Sequence, residues 1–465
     1  MSTPAVMFDG GRTDISDAAV SALRDSLRGA LLCEADENYE AARRVWNGNI
    51  DRRPALIARC AGVSDVQRTV VFAHEFGLKL SVRGGGHSAP GYGSNDGGVV
   101  IDLAGMRGIR IDPATRIGRA EGGTLWRDFD HETQAFGLAT TGGTVSNTGI
   151  GGLTLGGGLG WLHGLHGLTI DNLLSVDLVT ADGSFLTVSE TQHPDLFWAL
   201  RGGGGNFGVA VSFEYSLHPV STVLGGLMLY PLEHGRDVLQ FYRDFCPDLP
   251  DEAGLAAGCL TGPDGSAVAA LVPAYTGSID AGIETFSKIK AALGEPLADL
   301  VGPMSYSARQ TQLDEPNAIH GLHRYWRSAF SEVLSDKFID VLVEGAADFG
   351  SPRDAMLLFY LNGAATRVAP DATAFALRKP QWDFDLIGCW EDASESPERI
   401  AWTRELWSQL EPELEGTVYL NHLSDDDSPE KLRASFGSNY ARLRQVKSKY
   451  DPDNLFRQNA NIAPG

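Results

Sequence analysis

Cysteine is scarce in this 465-residue chain: Cys33, Cys60, Cys246, Cys259 and Cys389 are five in number and widely separated. No CxxC pair occurs, so neither a cysteine zinc site nor a redox dithiol is expected, and the five read as free thiols of a reducing compartment. Positive charge is short as well. Lys and Arg number 38 against 60 Asp and Glu, a formal net charge of −22. No local basic patch offsets it, so nucleic acid and anionic membrane surfaces are not expected partners. No run approaches the ~18 uninterrupted apolar residues of a membrane span, and the N-terminus lacks a basic stretch leading into an apolar one. The expectation is a cytoplasmic protein with neither membrane helix nor signal peptide. Also missing are a GxxxxGK[ST] loop and a GxSxG elbow, which excludes a P-loop nucleotidase and an elbow-type serine hydrolase.

What is present is an ordinary globular balance, 43% apolar and 21% charged residues, on a chain long enough for two or three domains of ~150 residues. Glycine departs from the ordinary. Of 55 glycines, 30 fall between Gly84 and Gly208. Such a concentration, without a repeat, suggests backbone wrapped closely around a ligand; for any one glycine, a tight turn explains it as well.

Periodicity gives the frame. Residues 17–32 have helical spacing, and Ser64-Asp-Val-Gln67 reads as a capping box opening a helix. Residues 78–83, 98–103, 173–180, 184–188 and 209–217 read as strands, with a hairpin at Ala181-Asp182-Gly183. Residues 194–200, 278–293 and 331–349 read as helices. The mixture indicates α+β architecture. Glycine becomes ordinary after about residue 219, the expected domain boundary. The run Asp425-Asp426-Asp427 reads as a solvated turn.

Several motifs compete for the chemistry. Gly203-Gly-Gly205-Asn-Phe-Gly208 formally matches GxGxxG, but a strand rather than a helix follows, so a dinucleotide fingerprint is rejected. His163-Gly-Leu-His166 lacks a carboxylate or cysteine at ligand spacing, and no metal is assigned to it. Arg83-Gly-Gly-Gly-His-Ser88 is more informative. Successive backbone N–H groups there can cradle a pyrophosphate without a lysine, and a neutral imidazole beside them is a nucleophile, although on local sequence alone a turn histidine is the commoner reading of His87.

Further on stand Gly142-Gly-Thr-Val-Ser-Asn-Thr-Gly149, Gly151-Gly152, Gly156-Gly-Gly-Leu-Gly160, Gly167-Leu-Thr-Ile-Asp-Asn172 and Lys449-Tyr-Asp-Pro-Asp-Asn-Leu-Phe456. In this order, over about residues 38–218 and 417–464, they resemble the flavin-linked oxidases of the vanillyl-alcohol oxidase and p-cresol methylhydroxylase superfamily, in the berberine-bridge-enzyme-like branch. The resemblance implies a two-domain α+β fold. A PCMH-type FAD-binding domain would span residues 1–218 with its core at about 38–218. A substrate domain, an antiparallel sheet flanked by helices, would span 219–435, and 436–465 would return to the FAD domain.

It further implies FAD bound covalently through His87. The second, cysteine link of many relatives falls at Val145, which cannot form it. The cofactor positions carried over are Arg83, Gly84, Gly85, Gly86, His87 and Ser88; Gly142, Gly143, Thr144, Thr148 and Gly149; Gly151, Gly152, Gly157, Gly158 and Gly160; then Val209, Asn421, Asn459 and Asn461. Thr148 would flank the oxygen approach. Ala460 replaces a common Gln.

For the catalytic base two positions stay open. Cys389 stands where plant relatives carry a Glu, and His422 stands where others carry a Tyr, in Tyr419-Leu-Asn-His422. An imidazole of pKa ~6.5 suits the task, which makes His422 the first choice, with Tyr419 beside it; a surface histidine next to the acidic turn is the plain alternative. Tyr325, Trp326, Trp382 and Trp390 are pocket candidates.

The implied activity is hydride removal from a carbon bearing a hydroxyl or amine of a small organic substrate, with molecular oxygen reduced to hydrogen peroxide. A flavin dehydrogenase or oxidative cyclase, an oligosaccharide oxidase, and a non-catalytic flavin-binding protein are the alternatives, and a glycine-rich region that binds nothing is a further one.

Overall fold

The computed structural model describes residues 2–262 and 264–465. The N-terminal half holds two sheets. In the first, Ala30–Leu32, Leu56–Arg59, Val99–Asp102 and Leu80–Arg83 lie side by side in that order, and the last three run parallel. The second is antiparallel and five-stranded, ordered Phe185–Ser189, Leu173–Val179, Val209–Ser216, Ile117–Glu121 and Ile109–Asp112. Val179, Val209 and Val211 of the second share one core with Leu56, Val99 and Ile101 of the first.

The strand at 209–216 directly after the glycine run confirms why GxGxxG carries no dinucleotide site here. The helix Pro194–Leu200 and the hairpin between 173–179 and 185–189 lie where the periodicity placed them. The capping box does not hold: the helix Val63–Glu75 starts from Gly62 with no side-chain cap. Asp65 is occupied elsewhere, accepting from the amides of Arg28, Gly29 and Ala61. The helix expected over 17–32 stops at Ser26, and 30–32 joins a sheet edge. The start expected at 331 is displaced too, because His323–Ser331 is a strand and the helix is Asp336–Ala347.

Residues 222–390 build one nine-stranded antiparallel sheet. Its longest strand, Gln381–Trp390, pairs with His323–Ser331 on one side and Ala355–Leu361 on the other. Period-two alternation sends Trp382, Phe384 and Leu386 into a core with Phe338, Leu342, Leu406 and Trp407 of two covering helices. Asp383 and Asp385 therefore point to the opposite face, toward the N-terminal half.

The chain end closes the structure. Lys447, buried, pairs with Asp451 at 2.6 Å and donates to the carbonyls of Asn206 and Phe456. The Asn206 amide donates to the Ala460 carbonyl at 3.0 Å and accepts from Ile462 N at 2.9 Å. Two segments some 250 residues apart in sequence thus meet at the glycine-rich loops. Among the described residues no helix is long and apolar enough to cross a membrane.

Candidate active site

The strand Leu80–Arg83 ends in the three glycines and His87 because Arg83 is anchored: buried, it pairs with Asp102 at 2.8 Å and donates to the Ala42 and Arg44 carbonyls. The loop it releases runs against the 142–149 loop without side chains between them. A Cβ on Gly85 would lie 2.5 Å from Gly149 N, and Gly86 turns with φ +68°, so both positions require glycine.

These loops line a cavity of about 330 Å³, shared by Gly204, Gly205 and Gly208 from the N-terminal half, Phe359 and Asp383 from the large sheet, and Asn459 from the chain end. Its wall of bare glycine backbone, with the buried Asn459 Oδ1 lacking a protein partner, fits a long ligand held by main-chain amides.

The cavity brings together most of the residues singled out from sequence: Arg83, Gly84, Gly85, Gly86, His87, Ser88, Gly143, Thr144, Val145, Thr148, Gly149, Gly151, Gly152, Gly160, Tyr419, Asn421, His422 and Asn459, with Trp326. Others stand behind it. The Gly142 carbonyl presses on Gly160, where a Cβ has no room. Gly157 and Gly158 form the turn after the helix Ile150–Gly156. Val209 packs in the inter-sheet core. Asn461 does not reach the wall, nor do Tyr325, Trp382 and Trp390.

Cys389 is a correction. It packs against Leu322 and Ile387 away from the cavity, and burial pushes its thiol up to about 11. It lies on the same strand face as Asp385 but four residues on, a distance of ~13 Å. Tyr419 lines the cavity, yet its oxygen already accepts from the Gly158 and Leu159 amides and Asn421 Nδ2, at 2.8, 3.1 and 2.7 Å. That pins the glycine turn, and burial raises the phenol to about 12.

His87 is held flat. Trp46 stacks on it with centroids 4.2 Å apart, and the Arg324 guanidinium lies 3.9 Å from the Trp46 ring. Burial first, then the nearby His320 and Arg324, lowers its imidazole to about 3, so it is neutral. A row of rings continues along the wall, Trp46 to Trp326 at 6.2 Å and Trp326 to His422 at 5.2 Å.

His422 is the second correction to the reading of a base near its ordinary pKa. Its Nδ1 sits 3.1 Å from Asp383 Oδ2 and 3.0 Å from Asp385 Oδ1. Burial pulls the imidazole down, but the charges of Asp385 and Asp383 outweigh it and hold the group at about 10. It is an imidazolium at neutral pH. Asp383, almost fully buried, is raised by burial and by Asp385, with His422 opposing. Trp326 Nε1 donates to Asp385 at 2.7 Å, and Ser328 Oγ to Asp383 at 3.3 Å.

Asp383, Asp385 and His422 bring three ligand atoms within 4.8 Å of one another and could hold a cation; the proton on His422 competes for that space. Both aspartates were missed from sequence, although two acids at alternate positions of an otherwise apolar strand, Gln381-Trp-Asp-Phe-Asp-Leu386, are the signal. The acidic turn is also less solvated than expected. Asp426 accepts from Arg404, and Asp427, its side chain buried, pairs with Lys431 at 2.8 Å.

The ion pair has a stability signature. A folded-state pKa of about 10 against an unfolded ~6.5 means that its contribution is complete below ~6.5 and is lost as pH rises through about 10. The melting-temperature advantage of the wild type over His422→Gln is expected to shrink across that window. A pH-independent difference would contradict the pairing.

Comparison with known proteins agrees with this geometry. A family model described as an FAD binding domain matches residues 54–189, and one described as berberine and berberine like matches 418–463. An FAD-linked oxidoreductase of Dictyostelium discoideum is 31% identical over 446 residues, 95% of this chain and 96% of that one. The structure of 6-hydroxy-D-nicotine oxidase from Arthrobacter nicotinovorans superposes with a TM-score of 0.86 at 29% identity, covering 95% of this chain and 99% of the other. The Acremonium strictum glucooligosaccharide oxidase, described with a 6-S-cysteinyl, 8α-N1-histidyl FAD, shares the fold with a TM-score of 0.85 at 23% identity over 96% and 99% of the two chains. With the two matched segments framing the glycine-lined cavity, the chain belongs to the berberine-bridge-enzyme-like branch of the vanillyl-alcohol oxidase and p-cresol methylhydroxylase superfamily and is an FAD-dependent oxidoreductase.

Proposed function

We propose that the protein is a covalent-flavin oxidase acting on a carbon that bears a hydroxyl or amine in a small organic molecule. The observation that carries this reading is a cavity whose wall holds a neutral imidazole beside main-chain amides together with Asp383, one member of a buried acid pair. Residues 1–218 with 436–465 hold the cofactor, and 219–435 close over it. His87 carries the bond, and Val145, on the wall where a second link would start, leaves the tether single.

When bound, FAD accepts a hydride from the substrate carbon and hands its electrons to oxygen, giving hydrogen peroxide. The chain supplies the rest. Main-chain amides of residues 84–86, 149, 151 and 152 would hold the pyrophosphate, the Ile150 amide being engaged by the Thr124 carbonyl. Asp383, facing the cavity, takes the hydroxyl or amine proton. Accepting that proton neutralises the Asp383 carboxylate, which its burial favours. As an imidazolium, His422 is the electrostatic partner of the base, and Trp326 fixes Asp385. Thr148, small and on the wall, leaves oxygen room to approach.

An anaerobic panel of alcohols, amines and sugars tests the proposal: at least one is expected to bleach the flavin, and air should then release peroxide. Turnover with a dye but no peroxide would favour a dehydrogenase. A yellow protein that no substrate bleaches would favour a binding protein without activity.

A further inference from the structure

Bonding through a histidine depends on its tautomer, because only a ring nitrogen with a free lone pair can attack carbon. His87 Nε2 lies 3.0 Å from Asn147 Oδ1. The Asn147 amide cannot be turned around, since its Nδ2 donates to the Ala318 carbonyl at 2.6 Å. Reversal would put two oxygens against each other at that distance. An amide oxygen has no hydrogen to give, so the hydrogen in the His87 contact belongs to Nε2, and Nδ1 carries the lone pair.

The acceptor is set from outside the glycine loops. Ser146, next to Asn147, donates through its amide and Oγ to Asp314 at 2.8 and 2.6 Å. Trp46, stacked on His87, donates through Nε1 to the Asn317 carbonyl at 2.7 Å. Residues 314–318 therefore grip both neighbours of the imidazole, and the same segment presents the carbonyl that orients Asn147.

We propose that Asn147, aligned by the Ala318 carbonyl, is the positioning residue that fixes His87 in the Nε2–H tautomer and so leaves the lone pair on Nδ1, the nitrogen of the N1-histidyl linkage described for the Acremonium strictum enzyme. This rests on the reading that His87 carries the cofactor. In the step, a bond forms between Nδ1 and the 8α methyl carbon while one C–H bond of that methyl breaks. The methyl hydrogen and the Nε2 hydrogen leave as protons. The two electrons released pass through the flavin to dioxygen, which departs with both protons as hydrogen peroxide.

The test compares wild type, Asn147→Leu, Asn147→Ala and Asn147→Asp, each produced in riboflavin-poor medium and incubated with excess FAD. Covalent flavin is read from the mass of the denatured chain over time, and total bound flavin from the absorbance of the native protein. Per bound flavin, Leu and Ala are expected to form the bond about tenfold more slowly than wild type. Asp keeps an acceptor for Nε2 and is expected to recover most of the rate. Equal rates in the Leu, Ala and Asp variants, or a wild-type rate in Leu, would overturn the inference. Absence of covalent flavin in the wild type would instead overturn the His87 reading, so the two failures are distinct.

Discussion

Replacement of Asp383 by Asn is expected to slow anaerobic flavin reduction by about 10²–10⁴-fold while the flavin stays bound. The reasoning is electrostatic. Asp383 is the carboxylate of the cluster that lines the cavity, and burial raises its proton affinity toward the working range. An amide in its place keeps the size and the Ser328 contact but cannot accept a proton from substrate. It also leaves His422 with one counter-ion, Asp385, at 3.0 Å, so the imidazole pKa should fall. The pH profile of the residual rate would then shift to lower pH. An unchanged reduction rate would remove Asp383 from the mechanism.

The His87→Ala change is expected to abolish covalent attachment completely. Yellow colour should persist in the native protein, because the amides of residues 84–86, 149, 151 and 152 remain, yet acid precipitation should release all of the flavin into the supernatant. Colour kept in the precipitate would mean that another residue forms the bond. Val145 cannot, and Cys389 lies away from the cavity.

How much of this was legible in the sequence follows from what each feature depends on. The glycine loops were readable because glycine is itself the signal: Gly86 turns with φ +68°, and Gly85 and Gly149 approach each other too closely for a side chain on either. Strands such as 209–216 alternate plainly, and that alternation disposed of the dinucleotide motif. The acid pair was not read, because the resemblance points to Cys389 through the Trp that follows it, whereas the residues of that strand that face the cavity are set by pairing with residues 323–331 and 355–361.

His422 lines the cavity, but its charge state was not accessible from the sequence. It depends on two carboxylates about forty residues away in sequence, and they turn a base of ordinary pKa into an imidazolium. Trp46 and Asn147 escaped for the same reason: each acts on His87 only through contacts made when residues 314–324 fold across the loops. The capping box failed because the helix begins ahead of Ser64, at Val63, and Gln67 Nε2 donates to the Gly183 carbonyl instead.

Mass spectrometry of the denatured wild-type chain and its peptides tests the central claim most directly. The expected result is the chain mass plus one FAD less two hydrogens, with the increment on the peptide containing His87. A chain of unmodified mass after production with ample riboflavin, or an increment on any other peptide, would contradict it.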